Sequence, residues 1–520
     1  MWGRAALVAA LAALVAAPVA GGGVVERDAA AAKKGLTAAA KSGRLSAEDT
    51  ATFRATVDRA LATWRKLRGS RAANLAGALR DAAVLAGRYD APRALTIFSG
   101  LDVNTTYFGT TATPSGTIDV DGDDGVVYRY FPGHGLQFHP LANFARLNAN
   151  AVRKDYEAAS GLAEALLARA VPTAAGLTWE YMFPFDGGRA PWTSGMAQAA
   201  GAQAFSRVAT ALQDPAYLDP ASQAYRAAQA LTRPTPAGPW VRLYSFSSMA
   251  VLNAQLQTAL SIAEYARTSG NPDAALFADQ LEQAALTLLP QFDTGAWSLY
   301  ALGGAEATLH YHKYVVSLLE RLAQLDERPE WSTWAGRFDE YLIVPPDIVP
   351  LAATPVVYPL PRDGFLDRAT VTFDLDKTAS VRFIVAGERR PFSLRRGRHT
   401  LTWDPGARPP QRYVATLEAT DLAGNTAEVP LDAIEVRRDT DPPEITAELT
   451  RRRLHWEAID EGTPWLRLGV LFRNGQGRRR VDLGTRPLTG NATVRVPTGQ
   501  WAAELSAADS SGNRTTLPLG

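Results

Sequence analysis

The sequence predicts a multidomain α+β protein: an α/α toroid body, a β-hairpin-rich part ahead of it, and two immunoglobulin-like β-sandwiches behind it. Three observations predict this. Between residues 131 and 343, apolar positions recur at helical spacing, as in Val251, Leu252, Leu256, Leu260, Ile262 and Tyr265. After Val344-Pro345-Pro346 the texture changes to alternating strands such as ATVTFDL, SVRFIVA and LHWEAI. Finally, LEATDLAGNTAEVPL (Leu417–Leu431) repeats as LSAADSSGNRTTLPL (Leu505–Leu519).

A chain of 520 residues is too long for one core, so about three domains are expected. A net charge of +1 argues against bulk nucleic-acid binding, which needs a basic excess. With no cysteine, neither disulfides nor thiolate zinc sites can form.

Taken in order, residues 1–20 (MWGRAALVAALAALVAAPVA) have an early arginine, a short apolar run and a small residue at Ala20. This is a secretory signal pattern and implies a secreted or cell-surface protein. No other stretch is apolar enough to cross a membrane. Residues 21–93 are alanine-rich, with Leu36, Phe53, Val57, Leu61 and Leu67 at helical intervals, and read as an N-terminal helical element. Residues 94–130 (LTIFSG, TTYFGT, GTIDVDG, GVVYRYF) read as β-hairpins bounded by glycine. The acidic run Asp119–Gly125 departs from the helix-loop-helix calcium template, with Asp124 where glycine belongs. A solvated turn is the stronger reading, and a structural calcium at Asp119, Asp121 and Asp123 is the alternative.

Residues 131–343 read as the toroid. Its helices are expected at 140–147, 153–169, 195–212, 220–230, 248–268, 274–289, 311–325 and 330–342, opening on Pro, Asp or Ser and closing at Gly or Asn. Residues 344–438 and 439–520 read as the two sandwiches, joined at Asp439-Thr-Asp-Pro-Pro443. The repeated Asp421 and Asp509 read as turn chemistry. The arginine clusters of these modules suit acidic glycans or guard strand edges.

The densest chemistry lies between Trp240 and Tyr314. Tyr244, Tyr300, Tyr311, Tyr314, His310 and His312 gather there near Gly295, Gly303 and Gly304, where helices are expected to end. Four stretches, PWTSGMAQAAGAQAFSRVATALQDPAYL (Pro191–Leu218), LYSFSSMAVLNAQLQTALSIAEYA, LPQFDTGAWSLYALG and LHYHKYVVSLLERLAQLDERPEW, together resemble the C-terminal catalytic domain of D-glucuronyl C5-epimerases. GLQFHPLANFARLNAN (Gly135–Asn150) resembles the helix that opens that domain. The resemblance covers roughly residues 128–341. It implies epimerisation of D-glucuronate to L-iduronate within a heparan-type polysaccharide, on a β-rich part followed by an α/α toroid.

The resemblance implies catalytic roles for Tyr244, Tyr300, Tyr311 and His312. The proton on carbon-5 of a uronate is α to a carboxylate, so inversion needs acid/base groups on both ring faces and donors on the carboxylate. Two departures stand out. Arg242 and Leu243 replace the family's acidic residues before the first tyrosine, and Gly303 replaces its arginine after the second. Arg189, Arg242 and His310 are candidates for the carboxylate, Trp192 for stacking on a sugar ring, and Gln198 for a further substrate contact. No cofactor is expected for the chemistry. The expected partner is an acidic polysaccharide, with no nucleic acid and no membrane beyond the leader, and a homodimer is a candidate assembly. A polysaccharide lyase using the same first step and a non-catalytic glycan-binding protein are the alternatives.

Overall fold

The structure, a computed structural model, describes residues 22–520. The leader expected at residues 1–20 lies outside them. No helix among the described residues is long and apolar enough to cross a membrane. The chain divides into two compact units, Met1–Glu340 and Tyr341–Gly520.

The first unit opens with α1 (Gly22–Lys41), α2 (Ala47–Lys66), α3 (Gly69–Val84) and α4 (Ala91–Thr110). They pack as a four-helix bundle, with α1 and α4 each set against α2 and α3. Helix α4 corrects the hairpin expectation for residues 94–130. Asp90 accepts from Arg93 N as an N-cap, and Pro92 sits in the first turn. Ala94, Ile97, Phe98, Leu101, Thr105 and Phe108 then form a buried stripe. A cap and a helical period outweigh the strand preference of isolated Thr, Ile and Phe. Strands begin only at β1 (Asp119–Asp121), β2 (Val127–Phe131) and β3 (Gly135–Phe138), which form one antiparallel sheet in that order.

The acidic turn, expected as a solvated turn with calcium as the alternative, is tied to arginines. Asp119 takes two bonds from Arg129 at 2.7 and 2.8 Å. Asp121 takes two from Arg146, and Asp124 takes one from Arg169. Guanidinium groups already supply the positive charge.

The helical body follows: α5 (Pro140–Arg153), α6 (Tyr156–Leu167), a hairpin of β4 (Val171–Thr173) and β5 (Gly176–Thr178), then α7 (Gly195–Leu212) and α8 (Leu218–Ala230). A second hairpin, β6 (Thr232–Thr235) and β7 (Gly238–Val241), leads to α9 (Leu252–Ser269), α10 (Pro272–Phe292), α11 (Leu309–Leu325) and α12 (Pro329–Glu340). Helices α5, α7, α9 and α11 stand side by side in that order. Hydrogen bonds join positions at matching depths: Asn148 to Gln203 (3.4 Å), Ser261 to Gln203 (3.2 Å) and Tyr314 to Gln257 (2.7 Å). The four helices therefore run in one direction. Their N-termini, capped at His139, Ser194 and Thr308 on α5, α7 and α11, share one end. Most of α7 and α9 is buried, as expected of an inner layer.

The second unit holds two β-modules. The first comprises β8 (Ile348–Ala353), β9 (Val356–Val357), β10 (Ala369–Leu375), β11 (Ala379–Val385), β12 (Pro391–Leu394), β13 (Gly397–Trp403), β14 (Gln411–Asp421) and β15 (Thr426–Val436). They form sheets ordered β13-β10-β8 and β12-β11-β14-β15-β9 around one core that includes Val371, Phe373, Val381 and Leu417. The second comprises β16 (Glu444–Thr450), β17 (Arg453–Ile459), β18 (Trp465–Asn474), β19 (Gly477–Pro487), β20 (Thr489–Thr493), β21 (Ala502–Ala508) and β22 (Arg514–Leu519). Its sheets, β16-β17-β20 and β19-β18-β21-β22, enclose Trp456, Leu468, Val470 and Leu505. Strands β10 and β11 alternate buried and half-buried positions along their length, which is why they were readable.

The repeated motif makes the same turn twice. Asp421 accepts from Asn425 N and Nδ2, and Asp509 accepts from Asn513 N and Nδ2. Gly424 and Gly512 take φ of 95° and 93°, which only glycine adopts freely. The surroundings differ. Buried Lys377 pairs with Asp421 at 3.3 Å and donates to Val344 O at 2.6 Å. Asp509 instead faces Asp439 and Asp460, with carboxylate oxygens of the three all within 4.8 Å of one another. Among the described residues this trio, not Asp119, Asp121 and Asp123, is the carboxylate group with metal-ligand spacing.

Candidate active site

The segments that enter α7, α9 and α11 meet at the shared N-terminal end. The loop before α7 is pinned to it by Gln198, whose side chain accepts from Trp179 N and donates to Trp179 O. In the same loop Tyr181 and Trp192 exchange backbone hydrogen bonds of 2.8 and 3.1 Å, and their rings stack at 3.9 Å. Trp192 Nε1 donates to Phe183 O. Arg93 of α4 holds Glu180, beside Tyr181, through two bonds of 2.7 and 2.8 Å.

The segment before α9 runs alongside. Ser245 N donates to Thr193 O, and Ser245 Oγ accepts from Thr193 N. This sets Tyr244 edge-on to Trp192 at 5.4 Å and flat against Phe246 at 5.5 Å. The loop before α11 is anchored by a bridge between Val251 and Ala301 and by Leu252 N donating to Tyr300 O. Tyr311, in the first turn of α11, places its ring 4.9 Å from that of Tyr300.

The three tyrosines drawn from separate loops thus form one cluster. The phenols of Tyr244 and Tyr311 lie close enough to that of Tyr300 to act on its charge. Burial, then the neighbouring phenols, pushes the Tyr300 hydroxyl well above its ordinary value near 10. Burial, then Tyr311, does the same to Tyr244. Both are neutral proton donors at neutral pH. Exposed Asp186, at φ 45°, is close enough to Tyr244 to reinforce that rise.

The other candidates divide. His312 does not join the cluster. It is fully buried, stacked on Trp297 at 3.9 Å, 2.7 Å from Ser298 Oγ and 2.8 Å from Phe338 O. Successive helical residues point about 100° apart, so Tyr311 and His312 cannot share a face. Gln198 and Trp192, expected to bind substrate, are buried and spend their polar atoms on the loop backbone. They build the wall. Arg189 is exposed and Arg242 is half-buried. His310 is exposed, its ring 6.1 Å from that of Tyr311.

Next to the cluster a cavity of about 240 Å³ lies between α5 and α11, floored by α7 and α9. Its polar lining includes Arg129, His139, Gln203, Gln257, Tyr314 and Arg321. Tyr314, one turn beyond Tyr311, and Arg129, which acts on the Tyr181 hydroxyl, link cavity and cluster. Burial, then Arg129, lowers His139 well below its ordinary value, so this imidazole stays neutral. Its Nδ1 accepts from Ala142 N and caps α5. The helix N-termini above favour a carboxylate at this end of the body. Sequence reasoning missed Tyr181, Arg129 and Arg321. Tyr181 and Arg129 lie outside the stretches that carry the resemblance, Arg321 lies inside the last of them, and all three meet the site only through the fold.

Residues 175–340 match the family model described as D-glucuronyl C5-epimerase C-terminus. No curated protein matches the chain. A GH76 alpha-mannanase of Bacteroides thetaiotaomicron is 11% identical over 39% of this chain, with a TM-score of 0.31, and this chain spans only 59% of its length. An endo-beta-1,4-glucanase of Acetobacter xylinum is 12% identical over 41% of this chain and 73% of its own, with a TM-score of 0.28. The fibronectin(III)-like modules of CbhA from Clostridium thermocellum are 11% identical over 33% of this chain and 92% of their own, with a TM-score of 0.17. Likeness at these scores carries no argument about function. The match to the D-glucuronyl C5-epimerase C-terminus family falls on the stretch whose loops gather Tyr244, Tyr300 and Tyr311.

Proposed function

We propose that this body inverts carbon-5 of a uronate within an acidic polysaccharide, converting D-glucuronate to L-iduronate or making an equivalent inversion. The convergence of three phenols from separate loops carries the reading. One outer phenol, ionised, takes the carbon-5 proton. The resulting enediolate is reprotonated on the opposite ring face by the other outer phenol. Tyr300, beside both, passes the proton between them and resets the site. The family's acidic residue before the first tyrosine is replaced here, so proton exchange rests on the phenols themselves. The helix N-termini and Arg242 supply positive potential for the substrate carboxylate. The leader-like residues 1–20 support an extracytoplasmic place of action.

The test is incubation with candidate uronans in deuterated water. Deuterium entering carbon-5, with both epimers recovered, supports the proposal. An ultraviolet-absorbing unsaturated uronate instead would identify a lyase. Neither signal with any uronan would leave a glycan-binding protein.

A further inference from the structure

Three guanidinium groups line the cavity between α5 and α11: Arg129, Arg207 and Arg321. Two are spoken for. Arg129 is paired with Asp119, and Arg207 with Glu264. Arg321 is half-buried in the cavity wall and forms no ion pair or hydrogen bond among the described residues. An arginine in a part-enclosed cavity with no partner of its own is set to meet an anion.

Distance decides which anion. Tyr311, Tyr314 and Arg321 lie on one side of α11, and Arg321 is about 15 Å along the axis from Tyr311 at 1.5 Å per residue. That is too far to clamp the carboxylate of the sugar reacting at the phenols. It suits an acidic group on another unit of the same polymer. Gln203, Gln257 and Tyr314 add polar atoms between the two positions.

Resting on the uronan reading above, we infer that the α5–α11 cavity is a second saccharide subsite, in which Arg321 binds the carboxylate or sulfate of a unit remote from the reacting uronate. Substrate length is then read by this groove, separately from the chemistry.

The experiment is calorimetric binding of defined oligosaccharides of alternating glucuronate and N-acetylglucosamine to the full chain. Arg321→Gln is expected to weaken hexasaccharide binding about tenfold and leave disaccharide binding unchanged, with Arg321→Lys in between. Unchanged hexasaccharide affinity, or equal loss on both lengths, overturns the proposal. Circular dichroism guards against misfolding, and if Arg321→Gln does not fold, Arg321→Lys carries the same comparison. A 6-O-sulfated hexasaccharide separates the two anions: a gain that Arg321→Gln abolishes assigns sulfate, and no gain assigns carboxylate. Hexasaccharide binding without deuterium exchange would remove the epimerase reading and leave the subsite. Exchange with unaltered Arg321→Gln affinity would remove the subsite alone.

Discussion

The ring of Tyr300 lies 4.9 Å from that of Tyr311, although the two come from a loop and from the first turn of the next helix. The phenol of Tyr300 also acts on that of Tyr244, so it is the middle member of the group. If it passes the proton between the outer phenols, Tyr300→Phe should cut kcat for carbon-5 deuterium exchange roughly 100- to 10,000-fold, with little change in substrate affinity. Loss of affinity with kcat retained would make it a binding group instead.

The pH dependence follows from the raised phenols. Burial and the neighbouring hydroxyls hold Tyr244 and Tyr300 above the ordinary phenol range. The proton-accepting form is therefore scarce at neutral pH and grows as pH rises. We expect kcat/KM to climb about tenfold per pH unit from 7 to 9, as for a base whose pKa lies above the range. A plateau or fall between those values, measured by exchange into carbon-5, would show that another base is at work.

His312 should matter for stability and not for proton transfer. Replacing it by leucine removes the bonds to Ser298 Oγ and Phe338 O in a buried site, which costs about 1–3 kcal/mol. Chemical denaturation should show that loss. Exchange kinetics, corrected for the folded fraction, should stay within about threefold of wild type, well below the roughly 100-fold loss expected for an acid or base.

Arg93 ties the helical bundle to the loop that carries Tyr181. Glu180 is only 10% exposed at its side chain, so Arg93→Met strands a buried charge and should cost about 3 kcal/mol. Glu180→Gln in the same chain should recover much of that, which a double-mutant cycle would measure. Additive losses would mean that the pair is not coupled.

In the second β-module, burial pushes the Asp460 carboxyl up to about 6, with Asp439 and Asp509 adding to the effect. Its folded value is above the unfolded value near 4. The folded module therefore holds that proton more tightly, and stability falls as pH rises through about 4 to 6. Asp460→Asn should flatten this dependence and raise the melting temperature of the module at pH 7, read by calorimetry on the full chain.

Much of this architecture was readable. Ser194 and Gln213 bound α7 where the sequence reading placed it, because a side-chain cap and a chain turn mark its ends. Alternation fixed strands β10 and β11. The gathering of Tyr244, Tyr300 and Tyr311 was legible because each opens or precedes a helix start. What failed had local causes. Helix α4 hides under β-favouring residues, and only the Asp90 cap and the stripe through Phe98 and Phe108 betray it. Adjacency in sequence pairs His312 with Tyr311, and the helix separates them. Arg129 and Arg321 are ordinary arginines until the fold sets them 192 positions apart around one cavity.

Because the four inner helices are co-directional, their capping loops and their far turns lie on opposite rims. The turns at Lys154 and Gln213, both left-handed, and at Gly270 belong to the rim away from the phenols. Affinity handles, fluorophores or whole fusion partners grafted there would leave catalysis undisturbed, so the scaffold comes with a ready-made face for engineering.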